Sequence, residues 1–111
     1  MSFEIDGVLK DMAAAMLKVA KEEGANIKAY SNTIIENNKK SLSELAVARL
    51  KGDLDEEEFN DELKSEKKVV EAELLALSIM KDAAAQKAAN AAMDVFKTAV
   101  KSALKVAVGI G

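Results

Sequence analysis

The fold of this 111-residue chain is decided around residues 49–59, which read RLKGDLDEEEF. Gly52 follows a basic last turn and predicts a helix C-terminus, because glycine adopts the left-handed backbone without a steric clash. Asp55 can then cap a new helix, and Glu58 three residues later completes a capping box. These local signals agree on one sharp reversal between two helices, with the turn itself at residues 52–54.

Apolar residues after this turn recur at helical spacing. Leu54 and Phe59 hold the two positions of a hydrophobic staple, which fixes how the chain enters the second helix. One apolar stripe then steps by three, four or seven residues, through Phe59, Leu63, Val70, Leu74 and Leu77. A second stripe lies beside it, at Val69, Ala72, Ala76, Ile79 and Ala83. The chain has no proline, and the pattern predicts a continuous helix up to Gly109.

The predicted fold is all-α, a long antiparallel helical hairpin that reverses near residues 51–55. A single domain is expected over residues 1–111, in four parts: a helical half 3–51, the turn 52–54, a helical half 55–107 and a short tail 108–111. We expect the first half to be one long helix. Two or three shorter helices are the alternative, because Gly24 weakens a helix interior and Ser41 opens a second capping box.

A hairpin of this kind cannot bury all of its apolar surface. Half of the residues are apolar, and the stripes on both halves are too wide for one partner helix. The sequence therefore predicts a homodimer, in which two hairpins form an antiparallel four-helix bundle. Residues that pair across the hairpin should have numbers summing to about 105, so that Glu23 meets Lys81. The expected central core consists of Ile34, Leu45, Val70, Leu74 and Leu77.

The composition removes many kinds of chemistry. There is no His, Cys or Trp, which excludes imidazole bases, thiol chemistry and zinc sites built from Cys and His. The acidic cluster after Asp53 fails as a calcium loop, because Glu58 and Lys64 stand where Gly and Glu are needed. Acidic residues in the first turn of a helix explain the cluster instead. We expect no enzyme activity, no cofactor and no metal.

The C-terminal part of the second half is a basic amphipathic helix. Lys97, Lys101 and Lys105 recur every four residues beside Phe96, and these four residues form a possible interaction surface. The helix over residues 95–108 could attach to an anionic membrane or an acidic partner. A solvated lysine face near a helix C-terminus is the simpler interpretation.

The sequence therefore predicts a non-enzymatic structural or protein-interaction protein, acting as a self-associating helical bundle. The alternative is a membrane-peripheral or membrane-active protein that uses the basic C-terminal helix. Nucleic acid is not expected as a partner, since the net charge is −3 and phosphate binding needs a concentrated basic face. The expected location is the cytoplasm, because the N-terminal residues do not form a signal peptide and no run could span a membrane.

Overall fold

The structure is a computed structural model that describes the backbone of residues 4–107 and the side chains of residues 4–105. Within this range the chain forms five helices and no strand. The helices are α1 (Ile5–Glu22), α2 (Ser31–Asn37), α3 (Lys39–Lys51), α4 (Glu56–Ala76) and α5 (Asp82–Ala107). The all-α class predicted from composition is confirmed. The predicted tail, residues 108–111, lies outside the described residues.

The predicted reversal between α3 and α4 is confirmed in its details. Gly52 has φ +87°, and the Asp53 amide reaches back to the Ala48 carbonyl at 2.8 Å, as in a Schellman motif. The Asp55 carboxylate accepts from the Glu58 amide at 2.8 Å, and the Glu58 carboxylate accepts from the Asp55 amide at 2.9 Å. Both halves of the capping box therefore form.

The first half of the chain is three helices, so the single long helix expected there is wrong. α1 ends at Gly24, which also has φ +87°, and the Ala25 amide bonds to the Ala20 carbonyl at 2.8 Å. This repeats the geometry found at Gly52. α2 and α3 are separated only by Asn38, whose side chain donates to the Ile34 carbonyl at 2.8 Å. Gly24 thus ends a helix, as the alternative interpretation allowed.

The second half is also divided, and the continuous helix predicted over residues 55–107 is wrong. α4 ends at Ala76, and Ser78 takes a left-handed backbone with φ +60°. That conformation costs a residue with a side chain about 1–2 kcal/mol. The cost is offset because α5 can fold back on α4 and on α1, which buries the alanine-rich face of α5.

These breaks replace the long hairpin with a compact bundle. The described residues measure 44 × 22 × 20 Å, whereas a 50-residue helix would be about 75 Å long. The two halves still run antiparallel, with α1 along α5 and α2 and α3 against α4. The register is shifted by about five residues, because Glu23 lies 3.5 Å from Lys87 and not beside Lys81.

One core runs through the bundle. Four of the five predicted core residues are buried, while Leu77 is only partly buried. The largest fully buried side chains are Phe96, Met12, Met16, Ile27, Ile35, Leu42, Leu74, Val70 and Val100. Alanines of α5 complete the core, at Ala85, Ala88, Ala89 and Ala92. The chain thus covers with its own helices much of the apolar surface for which the sequence analysis required a second copy. The dimer itself stays a prediction.

Candidate functional site

The three lysines of the predicted interaction surface lie together on α5. Lys97, Lys101 and Lys105 are all exposed. With a rise of 1.5 Å per residue, they form a ladder of cations about 6 Å apart and about 12 Å long. None of them forms an ion pair with another residue in the described part of the chain. Their charges are therefore free to act on a ligand.

The lysine ladder is one wall of an open groove of about 310 Å³. Arg49 from the end of α3 and Glu56 from the first turn of α4 line it as well. The remaining lining residues are Phe59, Asn60, Val100 and Leu104. We call this feature the basic groove. It brings four cations and one carboxylate around a mostly apolar floor.

Phe96, the fourth predicted surface residue, does not lie on this surface. It is fully buried, and its ring packs 6.1 Å from that of Phe59 with an angle of 30° between the planes. The prediction included Phe96 as the one aromatic residue of the basic amphipathic helix. Adjacent helical residues point about 100° apart, however, so Phe96 faces the core while Lys97 faces solvent.

Sequence reasoning did not assign Arg49, Glu56 or Leu104 to a site. Arg49 and Glu56 lie on opposite sides of the α3–α4 turn, where the hairpin register pairs them because their numbers sum to 105, and both line the groove. The Arg49 guanidinium donates through Nη1 to the Leu54 carbonyl at 3.2 Å, which fixes it at the edge of the groove. The predicted turn could have indicated Arg49 and Glu56, because it places the end of α3 beside the start of α4.

A second surface feature is an apolar stripe that stays open to solvent. It consists of the second stripe of the sequence analysis, Val69, Ala72, Ala76, Ile79 and Ala83, all of them exposed. Val69 and Ile79 each keep 47% of their surface exposed. Val69, Ala72 and Ala76 lie on α4, Ile79 lies in the turn that follows, and Ala83 lies at the start of α5. We call it the exposed stripe.

Polar side chains form a small cluster between the second and third helices and α4. Asn38 is buried and donates to the Glu73 carboxylate at 2.9 Å, as well as to the backbone of α2. Burial raises the pKa of the Glu66 carboxyl, a hydrogen bond from Ser41 opposes this, and the nearby Glu62 and Glu73 carboxylates raise it further. This cluster ties α4 to the second and third helices.

Two further findings concern the described residues only. They contain no group of three or more Asp and Glu side chains that could hold a metal ion. None of their helices is long and apolar enough to cross a membrane. Of the acidic residues around the α3–α4 turn, Asp55 and Glu58 form the capping box.

Comparisons with known proteins return no relative. No protein-family model, no curated protein and no solved structure matches this chain. Its function has therefore to be inferred from its own surfaces, of which the basic groove and the exposed stripe are the two that depart from an ordinary solvated helix face.

Proposed function

We propose that this chain is a non-enzymatic helical interaction protein that self-associates through the exposed stripe. The observation that carries this proposal is the exposure of Val69, Ala72 and Ala76 at helical spacing on α4, followed by the exposed Ile79 in the turn after it. Contiguous apolar patches on a soluble protein mark interaction sites more often than isolated apolar residues do. A second copy offers the same stripe, so it is a partner that is always present.

The order of side chains in the stripe suits a two-fold interface. Alanines occupy its middle, at Ala72 and Ala76, and the larger Val69 and Ile79 lie at either side. If two stripes pack antiparallel, Ala72 of one copy lies near Ala76 of the other and the two helices can approach closely. Val69 then lies near Ile79 of the other copy. Such an interface is isologous, as in most protein homodimers.

This association differs from the four-helix bundle predicted from two long hairpins. In that predicted bundle, each hairpin completes the hydrophobic core of the other. Here each chain has its own core, and the dimer joins two bundles along their α4 helices. We therefore expect a weaker complex than an obligate dimer, with a mass that depends on concentration.

Sedimentation equilibrium tests the proposal. The wild-type chain should show twice its mass of 11.9 kDa at high concentration, and Ala72→Glu should remain a monomer over the same range. Ala14→Glu is the matched control, since Ala14 is an exposed alanine within α1. A monomeric wild type, or a dimer unaffected by Ala72→Glu, would contradict the proposal.

The membrane-peripheral alternative finds less support. A helix that lies on a membrane inserts its apolar face. In α5, Phe96 and Val100 beside the lysine ladder are buried in the core of the bundle, and Leu104 is only partly exposed. Attachment of the described residues to a bilayer would thus rest mainly on the lysines.

A further inference from the structure

We propose that the basic groove binds an acidic helical segment of a protein partner, with carboxylates four residues apart facing the lysine ladder. This is a different surface from the exposed stripe, and it takes a different partner. The proposal rests on three properties of the groove: the spacing of its cations, the apolar residues between them, and its short, concave shape.

The spacing of the cations matches one kind of anion well. Lys97, Lys101 and Lys105 follow each other at four-residue intervals on α5, which sets their Cα atoms about 6 Å apart. A partner helix with Glu or Asp at positions i, i+4 and i+8 has the same repeat. Two such helices lying side by side bring each carboxylate to one lysine, and electrostatic complementarity of this kind fixes register and orientation.

The floor of the groove favours a protein side chain over a simple ion. Leu104 is partly exposed there, and Phe59 and Val100 lie beneath it. The volume of about 310 Å³ is at the lower end of the range in which proteins enclose ligand groups. A partner helix can place one apolar side chain over Leu104 while its carboxylates meet the lysines. This is the helix-in-groove mode of recognition, with an acidic rim.

The surroundings of the groove disfavour extended or planar polyanions. Glu56 lines the groove, and Glu57 and Asp53 are exposed on the same α3–α4 turn. These carboxylates repel a nucleic acid strand or an anionic bilayer that reaches past the ladder. Phe59 is buried at 3% exposure, so it offers no face on which a base could stack. A helical segment whose carboxylates face only the ladder meets less of this repulsion and needs no stacking surface.

Fluorescence anisotropy with two labelled synthetic peptides tests the proposal. Each peptide has about 20 residues, enough for a stable helix, and they share one composition of Ala, Gln, Leu and three Glu. The first peptide carries its glutamates at i, i+4 and i+8 with a leucine on the same face. In the second the glutamates are distributed around the helix. We expect the first to bind at least about fivefold more tightly, because only it can form all three ion pairs.

Variants of the chain locate the site. Lys101→Glu should weaken binding of the first peptide by about tenfold or more, because it turns an attraction into a repulsion at the centre of the ladder. Lys18→Glu, an exposed lysine on α1 that does not line the groove, makes the same change in net charge and should leave the affinity within about twofold. Leu104→Gln should weaken binding while leaving its salt dependence unchanged. Circular dichroism confirms that each variant is folded.

Several results would overturn the proposal. Equal affinity for the two peptides would show that charge alone is recognised, and an equal loss in Lys101→Glu and Lys18→Glu would place binding elsewhere. Tighter binding to vesicles containing anionic lipid, or to a single-stranded oligonucleotide, would assign the groove to those partners instead. All measurements are repeated in the Ala72→Glu background, so that a failure of self-association and a failure of the groove are distinguishable.

Discussion

Helix α4 carries one apolar stripe and the first part of a second, and the two look alike in the sequence but differ in the fold. The first, Phe59, Leu63, Val70 and Leu74, is at most 7% exposed. The second, the exposed stripe, lies in solvent. The difference is one of side-chain size, because the buried stripe is built from large residues and the exposed one is mostly alanine. Burying a large apolar side chain yields about 1.5–3 kcal/mol, so the larger stripe takes the inner side.

The comparison shows what alanine contributes to this chain. Alanine favours a helix without demanding burial, and it can therefore stand on either side of α4. In α5 the alanines do enter the core, at Ala85, Ala88, Ala89 and Ala92. Only the neighbouring helices decide which alanines are covered, and an alanine left open remains available to a partner.

The largest expected effect separates the two stripes directly. Phe59→Ala removes a buried ring that packs against Phe96, and it should lower the free energy of unfolding by about 3 kcal/mol or more. Val69→Ala, in the exposed stripe, should change it by less than about 0.5 kcal/mol when measured on the monomer. Urea denaturation followed by circular dichroism measures both. A cost below about 1 kcal/mol for Phe59→Ala would mean that the buried stripe is not core.

A smaller effect tests the break between α1 and α2. Gly24→Ala should destabilise the fold by about 1 kcal/mol, because the left-handed φ at this position strains any residue with a Cβ. Gly7→Ala is the matched control, since Gly7 is exposed within α1 and a Cβ there meets nothing within 4 Å. It should stabilise the fold by about 0.5–1 kcal/mol, because alanine is the better helix former. Equal effects of the two substitutions would contradict the break at Gly24.

Sequence reasoning succeeded where the signals were local. The turn at residues 52–55 has a glycine, a capping box and a staple within a few residues, and each acts without help from the rest of the chain. The break at Gly24 has the same glycine geometry, but the helix after it begins at Ser31 without a side-chain cap. Gly24 alone, without a capping residue for the next helix, could not show whether the helix is only weakened there or ends.

The break at residues 77–81 was not predictable from local patterns, and it caused the error at the candidate site. Ser78 gives no sequence signal for a left-handed backbone, which forms because α5 gains burial by folding back. The break also resets the helical phase. In α5 the structure buries Phe96, which the sequence analysis includes in an interaction surface. Because this segment has alanine on several sides, its periodicity could not show the shift.

The smallest expected effect is the pH dependence of stability that Glu66, on α4, produces. The fold raises the pKa of Glu66, mainly through burial, and Oε2 of this carboxyl has no hydrogen-bond partner in the described part of the chain. Folding thus favours the protonated carboxyl. Its contribution to the free energy of unfolding is complete below the ordinary pKa and is lost as the pH rises through the raised pKa. Glu66→Gln should raise the melting temperature at pH 7 by about 2 °C.

The advantage of Glu66→Gln should shrink as the pH falls to about 4, where the wild-type carboxyl is itself protonated. Glu44→Gln, at an exposed position on α3, serves as the control and should show no such trend. Thermal unfolding of the three chains between pH 4 and pH 8 makes the comparison. If the melting temperatures of Glu66→Gln and the wild type differ by the same amount at every pH, burial of the Glu66 carboxylate is not the cause of that difference.

Disulfide cross-linking tests most directly whether the exposed stripe is a surface between two copies. The chain has no cysteine, so any disulfide in a single-cysteine variant joins two molecules. The proposed interface brings Ala72 of one copy close to Ala76 of the other, and a disulfide spans 4.4–6.8 Å between Cα atoms. An equal mixture of Ala72→Cys and Ala76→Cys is compared with Ala14→Cys under mild oxidation. We predict that the mixture forms covalent dimers much faster than Ala14→Cys, and equal rates would contradict this account.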